Sequence, residues 1–157
     1  MATTLNADTS TGGFIATGDA SGDLGLQADG TTLATLSGSK VLFEAGIGEE
    51  YVAVTSSSNA STVDLDAATN FSHTLTENTT FTFSNPVASG RASSFTLKIV
   101  QDASASGFTV TWPGATDWPG GTAPTLTATA NAVDQFVFYT HDAGTTWYGF
   151  VAGQDMG

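Results

Sequence analysis

Five aromatic residues in the last third of the chain, Trp112, Trp118, Tyr139, Trp147 and Tyr148, are the side chains best suited to hold a ligand. Flat rings stack on sugar faces, and Asp or Asn beside them can hold hydroxyls. Trp112, Trp118, Trp147 and Tyr148 are therefore the candidate glycan-binding residues. The steps Trp112-Pro113-Gly114 and Trp118-Pro119-Gly120 put two of the rings at strand ends or loops, where a ring can be exposed. The competing reading has the same rings closing the ends of a core or packing between subunits, because large aromatics are mostly buried.

Other residue types offer less. Asp19 with Asp23, and Asp64 with Asp66, have spacings that could supply oxygen ligands to calcium, but neither pair completes an Asp-x-Asp-x-Asp-Gly loop with a distal Glu. Such Asp-rich segments also form as turns, through side-chain to backbone hydrogen bonds. His73 and His141 are the two histidines, and neither stands in a catalytic or zinc pattern. The chain has acids enough for a glycosidase pair, but no pairing across a groove can be read from their order. Asn59-Ala60-Ser61, Asn70-Phe71-Ser72 and Asn78-Thr79-Thr80 match the N-glycosylation pattern, which arises readily in text rich in Thr and Ser. No cysteine is present, so disulfides and thiol chemistry are absent. The expectation is a non-enzyme with no catalytic residues, no metal and no cofactor.

The elements that must position these residues are strands. Charged residues make up only 11% of the 157, while hydrophobic residues reach 40% and aromatic residues 10%. A surface covered by Thr, Ser, Asn and Gly suits sheets, whereas a helical protein covers its exposed faces with Glu, Lys and Arg. The net charge of −12 repels phosphate backbones and anionic lipid, so nucleic-acid binding is not expected. No apolar window approaches a membrane span, and Met1-Ala2-Thr3-Thr4-Leu5 lacks the basic and apolar regions of a secretory signal, so a soluble protein without membrane insertion is expected.

Two regions differ in text. Residues 1–49 are Gly-rich, with short apolar clusters between turns such as Asp19-Ala20-Ser21-Gly22-Asp23 and Ala28-Asp29-Gly30-Thr31. They predict an extended N-terminal β-arm for attachment or oligomerisation, because hairpins this short are marginal alone. Residues 50–157 carry longer alternating strands, predicted at 51–55, 62–65, 71–76, 79–84, 93–100, 108–112, 133–140 and 145–152. Glu77-Asn78 and Asp142-Ala143-Gly144 read as hairpin turns, and Asp66 to Asn70 as the one place for a helical turn. The predicted fold is all-β: an antiparallel β-sandwich, with a jelly roll the leading topology. Phe81, Phe83, Phe95, Leu97, Phe136 and Phe138 are the expected core or oligomer-interface residues.

Several segments carry a family likeness: Asn70-Phe71 with Leu75-Thr76-Glu77-Asn78-Thr79-Thr80-Phe81, Ser94-Phe95-Thr96-Leu97, Val110-Thr111-Trp112-Pro113, Trp118-Pro119-Gly120-Gly121-Thr122-Ala123-Pro124 and Thr145-Thr146-Trp147-Tyr148-Gly149-Phe150. Together they resemble a β-structured module of tailed-bacteriophage virion surface proteins, the tail-fibre, head-fibre and capsid-decoration type of marine or cyanobacterial phages. The arm segment Thr17-Gly18-Asp19-Ala20-Ser21-Gly22-Asp23-Leu24-Gly25-Leu26-Gln27 also looks like the ends of fibre proteins. The resemblance implies a homotrimer on the virion surface, made in the host cytoplasm. Its partners would be copies of itself and other virion proteins, such as major capsid or tail proteins. The chain's short length favours a capsid decoration (cement) protein or a short head or tail fibre. The alternative is a carbohydrate-binding receptor-recognition module that adheres to host-envelope glycans.

Overall fold

The computed structural model describes residues 24–28, 31–36, 41–43 and 45–156. Asp19 and Asp23 lie outside the described residues. The chain divides into two units, Met1–Gly48 and Glu49–Gly157.

In the first unit, β1 (Leu24–Ala28), β2 (Thr31–Leu36) and β3 (Val41–Phe43) form an antiparallel three-stranded sheet in sequence order. A register shift at Leu26/Gln27 interrupts the β1–β2 ladder. Ala34 is buried, while Leu26, Val41, Leu42 and Phe43 stand exposed. Beside them Leu26, Ala34, Phe43 and Ile47 line an open apolar hollow of about 400 Å3.

The second unit is built from β4 (Tyr51–Ala53), β5 (Ala60–Asp64), β6 (Asn70–Thr74), β7 (Thr79–Ser84), β8 (Ser93–Val100), β9 (Val110–Thr111), β10 (Thr116–Asp117), β11 (Val133–Thr140) and β12 (Trp147–Gly153). A single 3-10 turn at Pro119–Gly121 is its only helical element among the described residues. No described helix is long and apolar enough to cross a membrane. Two sheets result, one of six strands in the order β10-β12-β11-β8-β6-β4 and one of three in the order β5-β7-β9. From β4 to β9 the chain alternates between the sheets at every step. It lays β6 parallel to β4, β8 parallel to β6, β7 parallel to β5 and β9 parallel to β7. The result is a short coil of three ascending rungs. The hairpin β11–β12 then closes it antiparallel to β8, and β10 adds a parallel edge strand on β12.

This arrangement supports an all-β fold and corrects the finer expectation. An antiparallel sandwich, and a jelly roll above all, joins its strands into antiparallel pairs, whereas most pairs here are parallel. The physical reason shows at Glu77-Asn78. Leu75 is fully buried and donates its amide to the Val100 carbonyl at 2.9 Å, and Thr79 is buried and donates its amide to the Thr109 carbonyl at 2.9 Å. The segment between them turns from one sheet into the other as an arch, so β6 and β7 face each other across the core. Asp66 to Asn70 is a turn leading into β6 and holds no helix.

Polar side chains tie one rung to the next. Asn70 Nδ2 donates to Glu49 Oε2 at 2.6 Å, and its Oδ1 accepts from Thr96 Oγ1 at 2.8 Å. Asn85 Nδ2 donates to Asp64 Oδ1 at 2.7 Å, and Asn78 Oδ1 accepts from the Thr109 amide at 2.9 Å. Asn suits this work because its amide donates and accepts at once.

Between the sheets lies one aromatic cluster. Alternation turns Phe71, Phe95, Leu97, Ile99, Phe136 and Phe138 inward from the large sheet, and Val63 and Phe81 inward from the small one. Phe95 and Phe138 stack at 5.0 Å, and Phe83 meets Phe95, Phe138 and Trp147 edge-to-face at 4.9, 4.8 and 5.3 Å. Each such pair adds about 0.5–1.5 kcal/mol to the gain from burial alone.

Candidate functional site

Trp112 and Trp118 are each only 9% exposed, and Trp147 2%. Trp112 packs on Phe81, Phe136 and Phe138 at 5.8, 5.0 and 5.3 Å. Trp118 lies 5.4 Å from Trp112 and 5.6 Å from Phe138, above Gly149, whose missing side chain leaves room for the ring. These three residues therefore do not form the sugar platform considered for them: each ring is enclosed by other rings, and a sugar needs an open face. Phe81, Phe95, Leu97, Phe136 and Phe138 lie in the same cluster, with Phe83 partly buried against it. Of the four candidate glycan-binding residues, Tyr148 alone is exposed.

His73 and Asp64 are engaged in holding loops. His73 is 1% exposed, with Nδ1 2.9 Å from the Val54 carbonyl and Nε2 3.3 Å from Thr79 Oγ1, and it meets Phe81 edge-to-face. Asp64 Oδ1 accepts from the Asp66 amide at 3.1 Å, the geometry of an Asx turn. Among the described residues no group of three or more His, Cys, Asp or Glu is placed to hold a metal.

Two carboxylates that spacing did not single out organise the chain's end. Asp134, on β11, is 3% exposed and accepts from the Thr127 amide at 2.7 Å, Thr127 Oγ1 at 2.8 Å, the Asp155 amide at 3.0 Å and Gln154 Nε2 at 3.2 Å. Burial alone would raise its pKa, but these hydrogen bonds outweigh it and hold the carboxyl below its ordinary value. Asp142 organises the β11–β12 turn. Its Oδ1 accepts from the Thr146 amide at 3.0 Å and Thr140 Oγ1 at 2.8 Å, while Ala143 and Gly144 take positive φ. The Thr146 amide is the main cause of its lowered pKa, with Thr140 next and a smaller contribution from His141.

That turn brings together what is left exposed. Tyr139, His141 and Tyr148 form a triangle of rings on the outer face of the large sheet, with centroids 5.9, 6.1 and 6.4 Å apart. The planes of His141 and Tyr148 lie within 3° of parallel. In register, Asp117, Tyr148, Tyr139 and Ser94 make one row across β10, β12, β11 and β8, and all four are exposed. One row further, Phe150, Val137, Thr96, Asn70 and Tyr51 continue across five strands. The row's polar members, Asp117 and Ser94, were not legible as site residues. Tyr139 was, as one of the rings suited to a sugar face; in β11 it falls in step with Gln135, on the face opposite Phe136 and Phe138.

Set against models of protein families, against curated proteins and against solved structures, the chain finds no match in any of the three.

Proposed function

We propose that this chain is a non-enzymatic structural protein of a bacteriophage virion surface, acting as a homotrimeric capsid decoration (cement) protein or a short head or tail fibre. The observation that carries the assembly role is the sheet β1–β3, which exposes Leu26, Val41 and Phe43 on one face and Leu42 on the other. An apolar side left open to water on so small a sheet marks an interaction surface, and covering that side with neighbouring chains is a direct way to stabilise the sheet. The phage assignment draws its support from the resemblance of residues 70–71, 75–81, 94–97, 110–113, 118–124 and 145–150. The aromatic text of those segments serves a rigid core, as a display scaffold requires. Sedimentation of the full chain at micromolar concentration is expected to give a trimer, and Val41→Ser with Phe43→Ser to shift it toward monomer. A wild-type monomer refutes the assembly role. Electron cryomicroscopy of particles carrying the protein then separates the roles: copies on the capsid lattice make it a decoration or head-fibre protein, and copies confined to the tail make it a tail fibre.

A further inference from the structure

We infer that the row Asp117, Tyr148, Tyr139 and Ser94, with His141 beside it, is a binding site for a neutral or amine-bearing saccharide. The inference stands apart from the assembly role and rests on different residues. Exposed aromatic rings in contact have to be explained, since the same chain buries every tryptophan. The hydrogen bonds of the turn run through Thr140 and Asp142 and, among the described residues, leave the Tyr139 and Tyr148 hydroxyls and the His141 ring unengaged. Rings for stacking, free hydroxyls, a carboxylate at one end and a serine at the other are what a sugar's apolar faces and hydroxyl edges require.

The dimensions fit a short oligosaccharide. Strands lie about 4.8 Å apart, so the four-residue row spans roughly 14 Å. At the Ser94 end it meets a hollow of about 150 Å3 that Glu49, Asn70, Thr96 and Val137 also line, adding an amide and a second carboxylate.

Charge and area select among occupants. A chain of net charge −12, with Asp117 at one end of the row and Glu49 beyond the other, repels nucleic acid and anionic glycans. Lys98, on the same face of β8, is two rows from Ser94. Tyr139, Tyr148 and Phe150 are 38%, 36% and 48% exposed and together show about 300 Å2 at most, an area that suits a short oligosaccharide.

The test titrates the full-length protein, followed by amide NMR, with chitotriose, maltotriose and the fully deacetylated chitosan trimer, using trigalacturonate as the anionic control. The neutral or amine-bearing trimers are expected to shift the amides of residues 94, 117, 139 and 148 saturably. Tyr139→Ala and Tyr148→Ala should weaken binding about tenfold or more while the variants still melt in a single cooperative transition. Tyr51→Ala, on the same sheet face but three strands from Tyr139, should bind as wild type. The inference is overturned if none of the three shifts these amides at millimolar concentration, if trigalacturonate binds equally well, or if Tyr148→Ala retains full affinity. It is overturned as well if Tyr148→Ala dissociates an oligomer, because the face is then an interface between copies.

Discussion

Gly149→Ala tests the core's construction at its tightest point. A β-carbon at Gly149 would sit 2.8, 2.8 and 2.9 Å from Cη2, Cζ3 and Cε3 of Trp118. Carbon atoms in good contact stand about 3.5–4.0 Å apart, so the ring would have to retreat by roughly 0.6–1.2 Å. It has little room to do so, with Trp112, Phe136 and Phe138 packed at 5.4, 6.0 and 5.6 Å. Overpacking a dense core costs about 1–3 kcal/mol. The reduced backbone freedom of alanine in the unfolded chain offsets about 0.4–1 kcal/mol of that. The net expectation is a loss of about 1–2 kcal/mol, or about 4–8 °C in melting temperature for a unit of this size. Thermal unfolding with tryptophan emission is the assay, and the emission should move to the red as Trp118 is displaced toward water. In a double-mutant cycle, Trp118→Leu should remove most of the penalty of Gly149→Ala, since the clashing ring is gone. A Gly149→Ala protein that melts within about a degree of wild type with unchanged emission would refute the claim that Gly149 makes room for Trp118.

Phe138→Ala removes a fully buried ring touching Phe83, Phe95, Trp112 and Trp118, and is expected to cost about 3–5 kcal/mol by urea unfolding. Asp134→Asn should cost about 2 kcal/mol at neutral pH, because the amide keeps one acceptor where the carboxylate used two. With the Asp134 pKa lowered in the folded state, its stabilisation is present above the ordinary carboxylate pKa of about 4 and is lost as pH falls through the folded value. The gap between wild type and Asp134→Asn should therefore narrow in melts below about pH 4, and a gap independent of pH contradicts the assignment. Gly144→Ala places a side chain at φ +77, 3.1 Å from both Pro86 Cγ and Trp147 Nε1, and is expected to lower stability by about 1–2 kcal/mol in the same melts.

The ends of β7, β8 and β11 are legible in the chain text because polar or Gly/Asn-rich turns bound them, and the inward set of Phe95 and Leu97 because β8 alternates, whereas the run Phe136-Val137-Phe138-Tyr139 of β11 has no alternation to show which of its residues turn inward. The two-residue β10 and the 3-10 turn at Pro119–Gly121 could not be read, because an element that short has no period of its own.

Composition and local alternation by themselves determined that the chain would form strands and, where alternation is clear as in β8, which side chains would turn inward, because a strand's two faces follow from its own backbone. Strand partners were decided only in three dimensions. Val52 lies beside Phe71, and Phe71 beside Leu97, through contacts between segments far apart in sequence. An arch and a hairpin carry the same two-residue period, so parallel rungs and antiparallel hairpins look alike in the chain text. The same tertiary step closed the core over Trp112, Trp118 and Trp147 and aligned Asp117, Tyr148, Tyr139 and Ser94 from four strands, since neither enclosure nor cross-strand register exists until the sheets meet.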